Sequence, residues 1–147
     1  MFFGQFVHNL DAKGRLTIPS VFREQLTGGV FVTNGFDANL IAYSKPHYEQ
    51  IASTLSSLSI TDAESRSLRR LMFANTAELN FDTAGRILIP TYLRDNAKIV
   101  SSVVLVGIGD SFEIWSAELW AEQAESINDS EANSNRWASI DISTRGK

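Results

Sequence analysis

Asn9-Leu-Asp-Ala-Lys-Gly-Arg-Leu-Thr-Ile-Pro-Ser-Val-Phe-Arg-Glu24 returns 71 residues further on as Asn80-Phe-Asp-Thr-Ala-Gly-Arg-Ile-Leu-Ile-Pro-Thr-Tyr-Leu-Arg-Asp95. Seven of the sixteen aligned positions are identical, where average composition would give about one. Five more pairs are chemically alike: Leu10/Phe81, Leu16/Ile87, Ser20/Thr91, Phe22/Leu93 and Glu24/Asp95. A self-match at one fixed offset is the mark of an internal duplication. With small gaps it runs on, Val30-Phe-Val against Val103-Val-Leu, then Tyr43-Ser44 and Tyr48 against Trp115-Ser116 and Trp120.

Local signals give each copy the order strand, tight loop, strand, short helix, strand pair, longer helix, which is an α+β pattern. The first strands are Gln5 to Leu10 and Ala77 to Phe81. Gly14 and Gly85 supply the positive φ that a tight loop needs, and the carboxylates of Asp11 and Asp82 suit the loop amides. Leu16 and Ile18 alternate, as do Ile87 and Ile89, until Pro19 and Pro90 end each strand and open brief helices through Phe22 to Leu26 and Leu93 to Ala97. Val30 to Thr33 with Leu40 to Tyr43, and Val103 to Val106 with Phe112 to Trp115, read as hairpins. Ser44 caps a helix reaching about Leu58. Thr61-x-x-Glu64 resembles a capping box for a linker helix with Leu68, Leu71 and Met72 inward and Arg66, Arg69 and Arg70 nearby. Ser116 caps a last helix carrying Leu119, Trp120, Ala124 and Ile127, and the polar chain from Asn128 onward, Trp137 included, is expected to be disordered. The resulting division is 5–47 for the first module, 48–75 for linker helices, 76–119 for the second module and 120–147 for a helix end and tail.

Composition limits the chemistry. The 147 residues are 44% apolar and 20% charged, within the globular range. Halves of about 60 to 70 residues are marginal alone, so the copies should pack on each other or on neighbouring subunits. There is no cysteine, hence no disulfide, thiolate nucleophile or Cys-type zinc site. Nothing at Met1-Phe-Phe-Gly resembles a signal peptide and no run has the length of a membrane span, so a soluble, cytoplasmic protein is expected. The net charge of −4 is unevenly placed. Residues 1–98 hold ten basic against nine acidic residues, and residues 99–147 three against eight. A locally basic surface on the first two thirds remains possible despite the acidic total.

Catalytic readings are weak. His8 and His47 are the only histidines, and neither accompanies a recognisable nucleophile or carboxylate cluster, so no catalytic residue, metal site or small-molecule substrate is expected. Gly107-Ile-Gly109 lacks the third glycine of a dinucleotide loop and suits a hairpin turn, so no cofactor is expected. The repeated Asp-x-x-Gly-Arg loop is the strongest candidate. It places Arg15 and Arg86 at defined positions, where an arginine fork can bridge a guanine edge or a phosphate. The competing reading is that each arginine merely pairs with the aspartate of its own loop. Lys13 stands at the first tip where the second has Ala84, so it has no shared structural duty and suits a partner phosphate, with Gly14 allowing close backbone approach. Arg23 and Arg94, beside Glu24 and Asp95, read as structural or surface pairs.

Together these motifs resemble the MraZ family, built from two tandem SpoVT-AbrB-type modules. The residues that carry the resemblance are Met1-Phe-x-Gly, Asn9-Leu-Asp-x-Lys-Gly-Arg-Leu-x-Ile-Pro, Arg69-Arg70-Leu-x-x-x-Asn-x-Ala-Glu78, Asp82-x-x-Gly-Arg-Ile-Leu-Ile-Pro, and Val104-Leu-Val-Gly followed by Phe112-Glu-x-Trp115. The resemblance implies swapped-hairpin modules that combine into one pseudo-symmetric β-barrel core with flanking helices, and subunits assembled into a homo-oligomeric ring of eight or more. It also implies a nucleoid-associated transcription regulator that binds promoter DNA at direct repeats upstream of a division and cell wall gene cluster, usually its own, and represses it. The DNA-binding residues so implied are Lys13, Gly14 and Arg15, with Arg86 at the matching position of the second module, while Asp11, Asp82 and Gly85 build the loops. Ala84 departs from a basic tip, which sets the second loop apart. A protein-interaction or antitoxin-type use of the same modules is the alternative.

Overall fold

The strands that flank each Asp-x-x-Gly-Arg loop do not pair with each other. In the computed structural model, which describes residues 1–144, β1 (Gln5–Asn9) and β2 (Arg15–Thr17) leave the first loop for different sheets, as do β5 (Ala77–Leu79) and β6 (Arg86–Leu88) at the second. The remaining elements up to Ala117 are α1 (Ser20–Arg23), β3 (Val30–Asn34), β4 (Leu40–Ser44), α2 (Lys45–Ser56), α3 (Ala63–Ala74), α4 (Thr91–Asn96), β7 (Ser102–Gly107) and β8 (Phe112–Ser116). Met1–Ala117 is one compact unit, and the chain from Glu118 onward is a second.

The two copies exchange strands. β1 of the first copy pairs antiparallel with β7 of the second, His8 facing Val103, and β5 of the second pairs with β3 of the first, Leu79 facing Val30. His8 and Leu79 are equivalent in the repeat, and so are Val103 and Val30, so one register is used twice. Two further pairings join each strand to its own counterpart. In β2·β6 Leu16 faces Ile87, and in β4·β8 Ile41 faces Glu113. This is pseudo-two-fold symmetry written in hydrogen bonds. The six-stranded sheet runs β1-β7-β8-β4-β3-β5, with β2-β6 as a separate two-stranded ribbon. Among the described residues, β1 and β5 remain its edges and no pairing joins them.

Period-two alternation decides which residues enter the core. Leu16 and Ile87 are fully buried at the centre of the ribbon, while Arg15, Thr17, Arg86 and Leu88 lie on its outward face. Ile18 and Ile89 continue the buried row, joined by Phe22 and Leu93 from the short helices and by Val30, Val32, Leu40, Leu105, Phe112 and Ile114 from the sheet. Each such side chain contributes about 1.5–3 kcal/mol through removal from water. Phe22 links the layers, with ring centroids 5.2 Å from Phe2, 5.1 Å from Phe6 and 4.8 Å from Phe112.

Several local expectations change. α1 and α4 begin directly after Pro19 and Pro90, which serve as N-caps, two residues earlier than the apolar residues suggest. The cap of α3 is Asp62, not Thr61, because its carboxylate reaches both the amide and the hydroxyl of Ser65, at 3.1 and 2.7 Å. Of the three apolar residues expected inward on that helix, only Met72 is buried, whereas Leu71 is 36% exposed. Thr33 Oγ1 donates to the Met72 carbonyl at 3.0 Å and ties the helix end to β3. In the second unit, α5 (Ala117–Ile127) is followed by a further helix, α6 (Ser130–Arg136), where a disordered tail was expected. Asp129 caps it by accepting from the Glu131 and Ala132 amides, a polar start signal that apolar periodicity does not register. The end of the tail reading, residues 145–147, lies outside the described residues.

Candidate nucleic-acid interface

Both Asp-x-x-Gly-Arg loops are built by the same bonds. In the first, Asp11 Oδ1 accepts from the Lys13 and Arg15 amides at 3.0 and 2.9 Å, and Oδ2 accepts from Arg15 Nε at 2.6 Å. In the second, Asp82 Oδ1 accepts from the Ala84 and Arg86 amides at 3.0 and 2.9 Å, and Oδ2 from Arg86 Nε at 2.8 Å. The Asp11 and Asp82 amides return bonds to the Arg15 and Arg86 carbonyls, so each loop closes on itself. Gly14 at φ +84° and Gly85 at φ +75° occupy the left-handed positions this closure requires. The loop is therefore a self-satisfied turn rather than the tip of a hairpin.

Own-loop pairing of arginine with aspartate is present in both copies. It engages the Nε edge of each guanidinium. The terminal nitrogens of Arg15 have no partner among the described residues, whereas Arg86 Nη1 also lies 3.6 Å from Asp11 Oδ2. Asp11 thus serves two arginines and couples the loops. Arg15 and Arg86, about a third exposed, share the outward face of the β2·β6 ribbon, diagonal to each other across the two strands. Lys13 is exposed beside Arg15, and Ala84 is exposed at the second tip.

The backbone amide of Arg15 is the largest influence on Asp11, and the Arg86 amide on Asp82. With the arginine side chains they outweigh partial burial and hold both carboxyls below the ordinary value of 3.8. A carboxyl whose folded pKa is depressed contributes stability above its unfolded pKa and loses it as pH falls through the folded value. The loops should therefore keep their geometry from pH 8 to 5 and loosen only in acid. A side-chain carbon NMR titration is expected to place both midpoints under 3.8; a midpoint at or above that value would contradict the bonding described here.

Arg23 and Arg94 have a structural place, one of the two readings given them, but at contacts that sequence reading missed. No ion pair joins them to Glu24 or Asp95 among the described residues; each guanidinium instead lies against the loop glycine of the other copy, Arg94 on Gly14 and Arg23 on Gly85. The available signal was their recurrence eight residues after the loop arginine in both copies. With Lys13, Arg15 and Arg86 they make five cations beside the two loop aspartates, on a chain whose net charge is −4.

Other candidates stay apart from this cluster. His47 Nε2 lies 3.6 Å from Asp110 Oδ2 and its ring stacks on Tyr43 at 5.3 Å, while His8 sits half-buried in β1. Phe2 exchanges backbone bonds with Gly109 at 2.7 and 2.8 Å, so the Gly107 to Gly109 stretch seats the N-terminal segment. Among the described residues no group of His, Asp and Glu could hold a metal, and no helix is long and apolar enough to cross a membrane.

Comparison with known proteins places the duplication in context. The model of the MraZ protein family, described as antitoxin-like, matches twice in tandem, over residues 1–71 and 72–139. The chain is 43% identical over 129 residues to the transcriptional regulator MraZ of Herpetosiphon aurantiacus, covering 88% of this chain and 90% of that protein. It is 44% identical over 125 residues to that of Thermomicrobium roseum, covering 85% and 88%, and 42% identical over 122 residues to that of Lactiplantibacillus plantarum, covering 83% and 86%. Two tandem matches across nearly the whole chain, and relatives above 40% identity over most of their length, show that this chain belongs to the MraZ family.

Proposed function

We propose that the protein is a sequence-specific DNA-binding transcription regulator that represses its own division and cell wall gene cluster, reading promoter direct repeats through its Asp-x-x-Gly-Arg loops. The observation that carries this reading is the ribbon that puts Arg15 and Arg86, from opposite copies, on one outward face with Lys13 beside them. Relatives named transcriptional regulators support the regulatory half. Lys13, Gly14 and Arg15 form the principal reading loop and Arg86 supports it, while Asp11, Asp82 and Gly85 hold the loops in shape. The modules span 5–47 and 76–119, joined by 48–75 and followed by 120–147, and we take the six-stranded sheet and the β2·β6 ribbon, unpaired at β1 and β5, to enclose one pseudo-symmetric barrel-like core.

One subunit offers too few cations for tight binding alone. A cytoplasmic, nucleoid-associated ring of eight or more subunits engages several repeats at once, and avidity replaces a large basic patch. With three subunits making about two phosphate contacts each, the logarithm of the binding constant should fall with the logarithm of salt at a slope of about −5. A gel-shift titration against the upstream region at several salt concentrations, with a reporter for the direction of control, tests both parts. A slope near zero would remove the electrostatic account, and a reporter that falls on deletion of the protein would reverse the sign of regulation. The antitoxin-like family description favours a second reading, a module that binds protein. Tight binding to one protein partner with no DNA preference would select it.

A further inference from the structure

The first loop is seated on the second copy. Gly14 is buried although its neighbours Lys13 and Arg15 are not, and what covers it is Arg94 of α4. A methyl group at Gly14 would stand 2.8 Å from Arg94 Cζ, 3.0 Å from Nη2 and 3.1 Å from Nε. Three nearly equal distances mean that the glycine lies over the flat face of the guanidinium, not at its edge. That plate is fixed from behind, because Arg94 Nε donates to the Ile89 carbonyl at 3.0 Å and Nη2 donates to Thr91 Oγ1 at 2.9 Å. Ile89 also donates its amide to the Gly14 carbonyl at 3.0 Å. Gly14, Ile89 and Arg94 thereby form a closed circuit in which Ile89, directly after β6, holds the loop backbone through its N–H and the covering plate through its C=O.

The reciprocal seat also buries its glycine, but its arginine is not bonded in place. Arg23 lies against Gly85, and Ile18 donates to the Gly85 carbonyl at 3.1 Å, but the Arg23 guanidinium has no hydrogen bond among the described residues. A methyl group at Gly85 would run into Arg23 Nη1 and stand 2.7 Å from Cζ, so the approach is edge-first instead of flat. The loop whose cover is bonded in place is also the one with Lys13 at its tip.

We infer that Arg94 is a positioning residue for DNA reading: from the second copy it fixes the Lys13-Gly14-Arg15 loop of the first, through contact with Gly14, without itself meeting DNA. The inference rests on the reading role given above to that loop. A lysine cannot do this work, because it keeps the charge but has neither the plane nor the second nitrogen that reaches Thr91. An unseated loop still attracts phosphate but no longer presents Arg15 to a defined base, so specific binding suffers and non-specific binding does not.

The experiment compares Arg94→Lys, Thr91→Val and wild type in the intact assembly. Affinity is measured for the upstream repeats and for a random duplex, and amide hydrogen exchange is followed at Gly14 and Arg15 without DNA. Arg94→Lys is expected to lose about tenfold or more in specific affinity, on the order of one base contact, with non-specific affinity retained and faster exchange at the loop. Thr91→Val keeps the guanidinium and breaks one bond, and about threefold is expected; it carries the test if the first variant fails to fold. Wild-type specific affinity in Arg94→Lys would overturn the inference. So would lost affinity with unchanged exchange at Gly14 and Arg15, which would make Arg94 a DNA contact. Faster exchange in a protein whose wild type prefers no DNA sequence would support the seat and overturn the proposed function instead.

Discussion

Replacing Arg15 with alanine is expected to abolish sequence-specific DNA binding while leaving the folded assembly intact. The fold depends little on this side chain. It is about a third exposed, and its contact with Asp11 is a surface ion pair, screened by solvent and of little weight in stability. Asp11 keeps its bonds from the Lys13 and Arg15 amides and the approach of Arg86, so the loop does not collapse when the guanidinium goes. On the proposed reading, binding depends on it heavily. One forked contact to a base edge is worth about 1–3 kcal/mol, and when several subunits engage successive repeats the loss recurs at each and multiplies. A fall of at least about a hundredfold in specific affinity is expected, with the mass by light scattering unchanged. Arg86→Ala should cost less, since that guanidinium is partly occupied with Asp11 and stands at a loop without a cationic tip. If specific binding survives in Arg15→Ala, the first loop is not the reader.

How far the sequence carried this picture depends on the range of the interaction. Most of what is local was legible. The positive φ at Gly14 and Gly85, the carboxylate turns at Asp11 and Asp82, the alternation of Leu16 with Ile18 and the prolines that stop each strand all follow from neighbours a few residues apart. The duplication also announced that the copies would be related. It could not say that β1 belongs beside β7 rather than β2, because apolar alternation gives the face a strand buries but not the strand it meets. The seats beneath the loops were illegible for the same reason. Arg23 and Glu24 are adjacent, as are Arg94 and Asp95, and adjacency suggested surface pairing, whereas the contacts formed are with glycines of the other copy. Of the two readings of Arg15 and Arg86 that spacing allowed, own-loop pairing is present, and it employs the Nε edge without occupying the terminal nitrogens of Arg15. Pairing thus leaves the outer edge of the Arg15 guanidinium open for the recognition proposed here. Asp62 escaped because Thr61, one residue earlier, offers an equally good capping box, and Asp129 because the helix it opens has no apolar face to announce it.

Leu16→Ala should produce the largest loss of stability of any single change in the ribbon. Leu16 is fully buried, faces the equally buried Ile87 and lies between the rows that end in Ile18 and Ile89. Truncating a buried leucine costs about 2–5 kcal/mol, the upper part applying where the walls cannot close. Here one wall is β6, held in its ladder with β2, and the rest are buried side chains of the same core. Against a total stability of about 5–15 kcal/mol, that is a substantial fraction, and a fall of about 10 °C in the thermal midpoint is expected. The form of the transition carries more information than its shift. Were the copies independent, a cavity in the first would leave the second melting at its wild-type temperature. Because β1 completes the sheet of the second copy and β5 that of the first, neither can persist once the other opens. Calorimetry of Leu16→Ala should therefore show one transition, displaced as a whole. Leu16→Ala combined with Ile87→Ala should cost less than the sum of the two, since both changes enlarge a single cavity. Two separate transitions, the later one unmoved, would show that the exchanged strands do not bind the copies into one cooperative unit. Arg15 and Arg86 would then ride on halves free to move apart, and a reading surface that needs both on one ribbon would lose its foundation.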